Sequence, residues 1–426
     1  MNLIIKDGHV IDPANEIDGP HDVTIEDGKI AGVDKKAHAS KTARVIEAKG
    51  VIVAPGLVDM HTHLREPGFE YKETIATGTR SAASGGFTSV CCMANTNPVN
   101  DNGAVTEFIL LKAREGASIN VFPIGAVSKN LEGKEMAEIG ELKVAGCVAL
   151  SDDGKTVENA GLLRRAMEYA KGFGLPVISH ALCPDLMGAG VMNEGFVATE
   201  IGLRGIPHAA EDVIIARDLE LSGLTGCRVH IAHLSTARGV ELLREAKLKK
   251  YPVSCEVTPH HFSLTDEACR GYDPNTKMAP PLRTQEDVEE IKRGLEDGSI
   301  DAIATDHAPH ALSEKELEFE EAPFGIIGFE TALALGLNLV REKAVDLYRL
   351  IELMSYNPSK LMGIDRGTLT PGQSADVVVF NPDASYIYDV NLSPSKSRNS
   401  PFHNARLHGR VLYTIVGGRV VYDHMS

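Results

Sequence analysis

The chain has 426 residues, of which 43% are hydrophobic, and its formal net charge is -16. A chain of this length buries a substantial core and exceeds most single domains, so one large and one smaller domain are expected. The acidic balance disfavours a broad nucleic-acid or anionic-membrane surface, because either would need clustered lysines and arginines. A small molecule or a protein is therefore the expected partner.

The cysteines and the N-terminal segment indicate the compartment. Seven cysteines, an odd number without a CxxC pair, do not form the pattern of a disulfide framework. The opening segment MNLIIKDGHVIDP reaches Lys6 and Asp7 too early for a signal peptide, and no run approaches the roughly 20 apolar residues of a membrane span. These features predict a soluble, cytoplasmic protein.

The two ends of the chain resemble each other more than either resembles the middle. Residues 1–53 and 366–426 contain short β-type runs, which are separated by turn pairs such as Asp7-Gly8. These ends predict one small β-sandwich domain formed by both termini. Two unrelated β appendages are the alternative.

The middle of the chain, residues 54–365, alternates short apolar runs with helical patterns. The β-rich runs are GLVDMHTH, FTSVCCMANT, INVFPIGAVS, CVALSDDG, LPVISHA, CRVHIAHLS, PVSCEVTPHH and IDAIATDHAP. Eight such β/α units predict an α/β fold with a closed, parallel (β/α)8 TIM-like barrel. An open doubly wound sheet would also alternate, but no GxGxxG or P-loop motif opens any of the helices.

Two of the helical patterns can be described residue by residue. In AAEDVIIARDLELSG, the residues Val213, Ala216 and Leu219 lie at helical spacing and predict an apolar stripe. In TQEDVEEIKRGLEDG, Thr284 can cap the helix together with Asp287, three residues further on.

Polar residues end five of the eight apolar runs. They are His61, His63, Asp153, His180, His233 and Asp306. Because a closed parallel barrel brings the C-terminal ends of its strands to one mouth, these side chains are expected to meet there. Residues two apart on a strand share a face, so His61 and His63 can hold one ion together. Crowded imidazoles and carboxylates would be costly unless they shared a cation, so a metal site is predicted.

The types of side chain narrow the choice of metal. Four imidazoles and two carboxylates, without a suitable cysteine, favour zinc or a similar first-row divalent ion over calcium or magnesium. Six protein ligands exceed the three that are typical of one catalytic zinc. Two metal ions, roughly 3.5–4 Å apart, with a bridging hydroxide are therefore predicted.

Several motifs together resemble those of a known family. The segments are PGLVDMHTHLREPG, MANTNP, SDDG, HIAHLST, ATDHAPH, APFGIIGFET and GTLTPGQSADVVVF. They resemble the dihydroorotases, of the bacterial type I class in the amidohydrolase superfamily, over essentially the whole chain. HxH alone indicates only the superfamily, whereas HTHLREPG with ATDHAPH is specific to dihydroorotases and their nearest cyclic-amidase relatives. The resemblance implies reversible, zinc-dependent cyclisation of N-carbamoyl-L-aspartate to dihydroorotate in pyrimidine biosynthesis.

The resemblance also implies how the ligands divide between two zinc ions. One zinc would be held by His61, His63, Asp153 and Asp306, and the other by Asp153, His180 and His233. Many relatives bridge the two ions with a carbamylated lysine, whereas this chain offers an aspartate at that point. The phase of ALSDDG favours Asp153 over Lys155, and Asp152 is the competing neighbour.

Further roles follow from the same resemblance. Asp306 is expected to act as catalytic proton shuttle as well as ligand. The residues expected to contact substrate are His63, Arg65, Asn95, His310, Pro323, Phe324 and Gly325. A planar guanidinium can hold the substrate carboxylate with two hydrogen bonds, which explains Arg65. Ala279 departs from the family pattern, because many relatives have a substrate-contacting asparagine at that position.

Two other functions remain as alternatives. One is another cyclic amidase: a hydantoinase, dihydropyrimidinase or allantoinase. The other is an inert dihydroorotase-like subunit that scaffolds aspartate transcarbamoylase, although such relatives typically lose metal ligands and all six are present here. The resemblance further implies a homodimer and allows an active enzyme to associate with aspartate transcarbamoylase.

Overall fold

Two large sheets and the helices around them make up the part of the chain that the computed structural model describes, residues 2–36 and 43–424. The strands are β1 Leu3–Asp12, β2 Ile17–Glu26, β3 Lys29–Asp34, β4 Arg44–Glu47, β5 Ile52–Pro55, β6 Leu57–Thr62, β7 Phe87–Cys92, β8 Asn120–Gly125, β9 Ala149–Ser151, β10 Val177–Ser179, β11 Met192–Asn193, β12 Gly205–Ile206, β13 Val229–Ile231, β14 Val253–Val257, β15 Ala302–Ile303, β16 Val377–Ile387, β17 Arg406–Val416 and β18 Arg419–Asp423.

Helices fill most of the connections between these strands. They are α1 Ile75–Ser84, α2 Gly103–Gly116, α3 Ile139–Ala145, α4 Ala160–Gly172, α5 Pro184–Met187, α6 Phe196–Ile201, α7 Ala209–Thr225, α8 Ala237–Leu248, α9 Pro259–Ser263, α10 Gln285–Asp297, α11 Leu312–Lys315, α12 Phe329–Arg341, α13 Leu347–Ile351 and α14 Asn357–Met362. In the ranges that the structure describes, no helix is both long enough and apolar enough to cross a membrane.

The central sheet is a parallel barrel. Its strands follow the order β15-β14-β13-β10-β9-β8-β7-β6, and each of the eight predicted runs supplies one of them. The first and last strands meet beyond their ends, where Thr62 bridges His307 and the backbone N–H of His63 donates to the carbonyl of His307 at 2.9 Å. The predicted (β/α)8 barrel is therefore confirmed.

The second sheet combines the two ends of the chain. Its order is β18-β17-β16-β5-β1-β2-β3, and β4 pairs with β1 in parallel. Antiparallel pairing of β16 with β5, in which Val379 lies opposite Val53, joins the C-terminal strands to the N-terminal ones. The prediction that both termini build one β unit is confirmed. Buried side chains such as Ile25, Val377 and Ile415 form the separate apolar core of this sheet.

The apolar stripe predicted for α7 is wrong in detail. Val213 is 47% exposed, whereas Ile214, Ile215 and Leu219 pack inward. The buried face of this helix also carries acidic residues, Asp218 among them, so apolar spacing alone does not define it. The capping box predicted at the start of α10 is present.

Gly56 joins the terminal sheet to the barrel. It lies between β5 and β6, and its N–H donates to the carbonyl of Asp376 at 2.9 Å. A Cβ atom at this position would lie 2.1 Å from both Oγ1 and Cγ2 of Thr88. Since Thr88 is fully buried, its side chain has little room to move away.

We expect the substitution Gly56→Ala to lower the free energy of unfolding by about 1–3 kcal/mol, the usual cost of overpacking. Gly172→Ala is the matched control, because no atom lies within 4 Å of a Cβ built there, at the end of α4. Urea titration followed by circular dichroism measures both. Equal stability of the two variants would contradict the steric argument.

Candidate metal centre

The six histidines and aspartates singled out in the sequence lie together at the C-terminal mouth of the barrel. His61 and His63 stand at the end of β6, His180 directly follows β10, and the other three follow β9, β13 and β15 within three residues. Each of the six side chains is at most 9% exposed. The closure of parallel strands into a barrel therefore brings together residues that are up to 245 positions apart in the chain.

The carboxylate of Asp153 occupies the middle of this group. Its Oδ1 lies 3.2 Å from Nε2 of His61, 3.5 Å from Nδ1 of His180 and 3.6 Å from Nε2 of His233. Its other oxygen lies 3.4 Å from Nε2 of His63. One carboxylate is thus shared by nitrogens from four imidazoles.

Asp306 approaches the same group from the other side. Its Oδ1 lies 2.9 Å from Nε2 of His63 and 3.5 Å from Nε2 of His61. Burial alone would favour the protonated acid, but His61 and His63 hold the pKa of Asp306 well below its usual value. The carboxylate therefore stays ionised at neutral pH.

Unpaired buried atoms test whether a metal would fit here. His61 Nε2 and Asp153 Oδ1 are 3.2 Å apart and buried, yet neither makes a hydrogen bond in the described structure. Ligand atoms converge in three sets of three, each within 4.8 Å: His61, His233 and Asp306; His61, His63 and Asp153; and Asp153, His180 and His233. Convergent imidazole and carboxylate donors, two of them buried without a hydrogen bond, suit a borderline divalent cation.

The directions of the pKa shifts in the cluster also support a metal site. Burial lowers the pKa of His61, but the neighbouring carboxylates of Asp153, Asp306 and Glu256 raise it well above its usual value. The pKa of Asp153 is held far below its usual range by the imidazoles, against the effect of burial. A cation at this position would replace the protons that otherwise balance these carboxylates.

The structure places Asp152 and Asp153 in different surroundings. The Asp152 carboxylate accepts hydrogen bonds from the backbone N–H groups of Val127 and Ser128, at 2.8 and 2.9 Å, and from the Ser128 hydroxyl. It therefore anchors the loop that follows β8. Lys155 is exposed, so only Asp153 of these three residues faces the imidazoles.

Each histidine of the HxH pair has a hydrogen-bond partner on its far nitrogen. Nδ1 of His61 donates to Oε1 of Glu256 at 2.6 Å, and Nδ1 of His63 donates to Oδ1 of Asn95 at 2.9 Å. The Asn95 amide also donates to the backbone carbonyl of Asp153 at 3.3 Å. Asn95, predicted only as a substrate contact, thus also orients a cluster histidine.

Glu256 was missed by the sequence reasoning. It is fully buried in β14, and the histidines His61 and His230 lower its pKa to about 2 although burial opposes ionisation. The run PVSCEVTPHH did carry a signal, because an acidic residue is unusual inside a strand that is buried on both faces.

A cavity of about 340 Å³ opens beside the cluster. Its walls include the predicted substrate residues His63, Arg65, Asn95, His310, Pro323, Phe324 and Gly325. Ala279 also lines it, next to Met278, so the position that departs from the family pattern does face the cavity.

Arg65 and His310 form the polar side of this cavity. Nε of Arg65 donates to the carbonyl of Pro309 at 3.1 Å, and its NH2 group lies 3.4 Å from Nε2 of His310. Nε2 of His310 donates to the carbonyl of Phe324 at 2.8 Å. Burial, then the cations Arg65 and Lys72, lower the pKa of His310 to about 2, so its imidazole is neutral.

Three residues of the site have an unusual backbone conformation. Arg65, His233 and Asp306 have φ angles of 62°, 35° and 46°. These angles lie in the left-handed region, which residues other than glycine rarely adopt. Such strain clusters at functional sites, where the surrounding structure holds residues in unusual conformations.

Comparisons with known proteins identify the family. The Dihydro-orotase-like family model matches residues 50–239, and the Amidohydrolase family model matches residues 285–422. A dihydroorotase of Geobacter metallireducens is 54% identical over 99% of this chain and 100% of its own length. A dihydroorotase of Acetivibrio thermocellus is 52% identical over 98% of both chains.

Solved structures agree in fold. The L-hydantoinase of Arthrobacter aurescens superposes with a TM-score of 0.89 at 27% identity, covering 99% of this chain and 96% of its own. The dihydropyrimidinase of Brevibacillus agri gives 0.88 at 25% identity, covering 99% and 95%. Identity above half along nearly the whole chain, together with a barrel mouth of this composition, shows that the chain belongs to the dihydroorotase family of the amidohydrolases.

Proposed function

We propose that this protein is a dihydroorotase that catalyses the reversible cyclisation of N-carbamoyl-L-aspartate to (S)-dihydroorotate and water in de novo pyrimidine biosynthesis. The observation that carries the proposal is the position of Arg65, a half-buried guanidinium in the wall of the cavity that the His/Asp cluster shares. A substrate that is a cyclic amide and also bears a carboxylate needs both the His/Asp cluster, for the amide, and the Arg65 guanidinium, for the carboxylate. The family membership supports the same activity.

We propose that the cluster binds two zinc ions. The ligands of one would be His61, His63, Asp153 and Asp306, and those of the other Asp153, His180 and His233. Two of the three convergent sets of donor atoms share Asp153, which supports its role as the bridge. Bound zinc would supply a bridging hydroxide and polarise the carbonyl that reacts.

The polar wall of the cavity is suited to the substrate carboxylate. Arg65 uses its Nε for the carbonyl of Pro309, which holds the guanidinium in place and leaves its terminal nitrogens near His310. A neutral His310 does not compete with Arg65 for the anion. We assign the carboxylate to Arg65, with Asn95, His310 and the segment Pro323–Gly325 as further contacts.

Asp306 is assigned the proton transfer. In the hydrolytic direction it would accept the proton of the attacking hydroxide at a carboxylate oxygen and pass it to the leaving ring nitrogen. The histidines hold the pKa of Asp306 below its usual value, which favours the ionised form that a general base requires. His63, 2.9 Å away, holds the carboxylate in position.

Other parts of the proposal concern the whole molecule. We propose that residues 1–53 and 366–426 form a β domain that supports the barrel, residues 54–365, and that the protein acts in the cytoplasm. The free state of the seven cysteines supports a reducing compartment. A homodimer, and an association with aspartate transcarbamoylase, are proposed from the family resemblance.

Turnover of substrates, with and without metal, tests the function. The purified protein should cyclise N-carbamoyl-L-aspartate and hydrolyse dihydroorotate, and should hydrolyse hydantoin and allantoin poorly. Dialysis against a chelator should reduce turnover to background, and added zinc should restore it. A preference for hydantoin would indicate another cyclic amidase, and no turnover by zinc-loaded protein would indicate an inert subunit.

Replacement of Asp306 by asparagine should reduce kcat by about 10²–10⁴-fold, the usual contribution of general acid–base catalysis. KM should change much less, because Arg65 still holds the carboxylate. Steady-state kinetics on protein with a measured zinc content checks this. The control is Asp365→Asn, an exposed aspartate outside the site. Near-normal turnover by metal-replete D306N would remove Asp306 from the proton-transfer role.

Replacement of Arg65 by methionine should raise KM roughly 10- to 100-fold, the cost of losing hydrogen bonds to a charged group. The effect on kcat should be smaller, because the proposed zinc ligands stay unchanged. Arg80→Met, an exposed arginine in α1, is the matched control. An unchanged KM in R65M would place the substrate carboxylate elsewhere.

A further inference from the structure

The interior of the barrel is apolar, with a few buried polar exceptions. Side chains such as Met60, Ile124 and Ile178 form one interior cluster. The buried polar residues in the strands around this cluster include Glu256, 0% exposed, and His230, 1% exposed. A buried carboxylate is costly in such surroundings unless it is paired.

Glu256 uses both of its carboxylate oxygens. Nδ1 of His61 donates to Oε1 at 2.6 Å, and Nε2 of His230 donates to Oε2 at 3.1 Å. The hydroxyl of Ser254 donates to Nδ1 of His230 at 2.7 Å, which leaves Nε2 of that ring to carry its proton. The chain of contacts therefore runs Ser254, His230, Glu256, His61.

This arrangement fixes the state of the His61 ring. Nδ1 keeps its proton, bonded to Glu256, so a metal ion can replace only the proton on Nε2, which faces the cluster 3.2 Å from Oδ1 of Asp153. A carboxylate on the far nitrogen of a ligating histidine orients the ring and strengthens it as a donor.

We propose that Glu256, held in place by His230, is a positioning residue that sets the affinity of the metal centre through His61. The inference rests on the proposed metal-dependent function. It adds two residues, neither of them a metal ligand, to the groups on which that centre depends. Fold stability alone does not explain why Glu256 and His230 are present, because apolar side chains of similar volume often stabilise a core equally well.

The affinity of the protein for zinc tests the role of Glu256 directly. Chelator competition with metal-free protein should give a dissociation constant 10- to 100-fold weaker for Glu256→Gln than for the wild type, the usual effect of removing such a partner. Glu330→Gln is the matched control, because Glu330 is also hydrogen-bonded, to Ser393 and Tyr388, but away from the cluster. This variant should bind zinc like the wild type.

A double-variant cycle tests the role of His230. His230→Phe should weaken zinc binding less than Glu256→Gln, and the double variant should be no weaker than Glu256→Gln alone, because both act through one contact. Additive losses would overturn the assignment of His230.

Histidine-selective ¹⁵N NMR of the zinc-loaded wild type needs no variant, so it remains decisive if Glu256→Gln does not fold. It should find His61 protonated at Nδ1. A His61 without that proton, or a zinc affinity of Glu256→Gln within about 3-fold of the wild type, would overturn the inference alone. A wild type that binds no zinc would overturn the metal centre as well.

Discussion

The sharing of one carboxylate by four imidazoles is the constraint on which the rest of the site depends. Asp153 lies within 3.6 Å of nitrogens from His61, His63, His180 and His233, which come from β6, β10 and β13. Such a group is tolerable in a buried mouth only if its charges are balanced. The barrel supplies the geometry, because parallel strands place all their C-terminal ends on one rim.

The residues of the cluster and the other residues of the cavity wall lie on different segments of the chain. The strand ends hold donor atoms, whereas the loops beyond them hold Arg65, His310 and Phe324, which line the same cavity. Arg65 and Asp306 both have left-handed backbone conformations, which the surrounding structure must hold. The positions of these groups thus depend on the rigid barrel as well as on the loops.

Much of this could be predicted from the sequence, for identifiable reasons. A buried parallel strand appears as a short apolar run, and a polar residue at its end stands out, which is how His180 and Asp306 were found. The phase of ALSDDG favoured a carboxylate over Lys155 but left Asp152 as a competing neighbour, and only the contacts of the two carboxylates show that they have different surroundings. The roles of these residues remain predictions.

Other features depend on relations that no local pattern contains. The partnership of Glu256 with His61 joins residues 195 positions apart, and follows from the closure of the barrel, which leaves only β15 between β14 and β6. The inward face of α7 was misjudged because Asp218 is buried there by a hydrogen bond from Ser179 and an ion pair with Arg217. The spacing of apolar residues in the sequence gives no information about such hydrogen bonds and ion pairs.

The pairing of β5 with β16 has a consequence for biosynthesis. Roughly 320 residues separate the partners Pro55 and Val377, so at about 5–20 residues per second the ribosome needs on the order of tens of seconds to deliver the second strand after the first. During that interval the nascent N-terminal hairpins carry an open edge, which is the kind of surface that chaperones shield from aggregation.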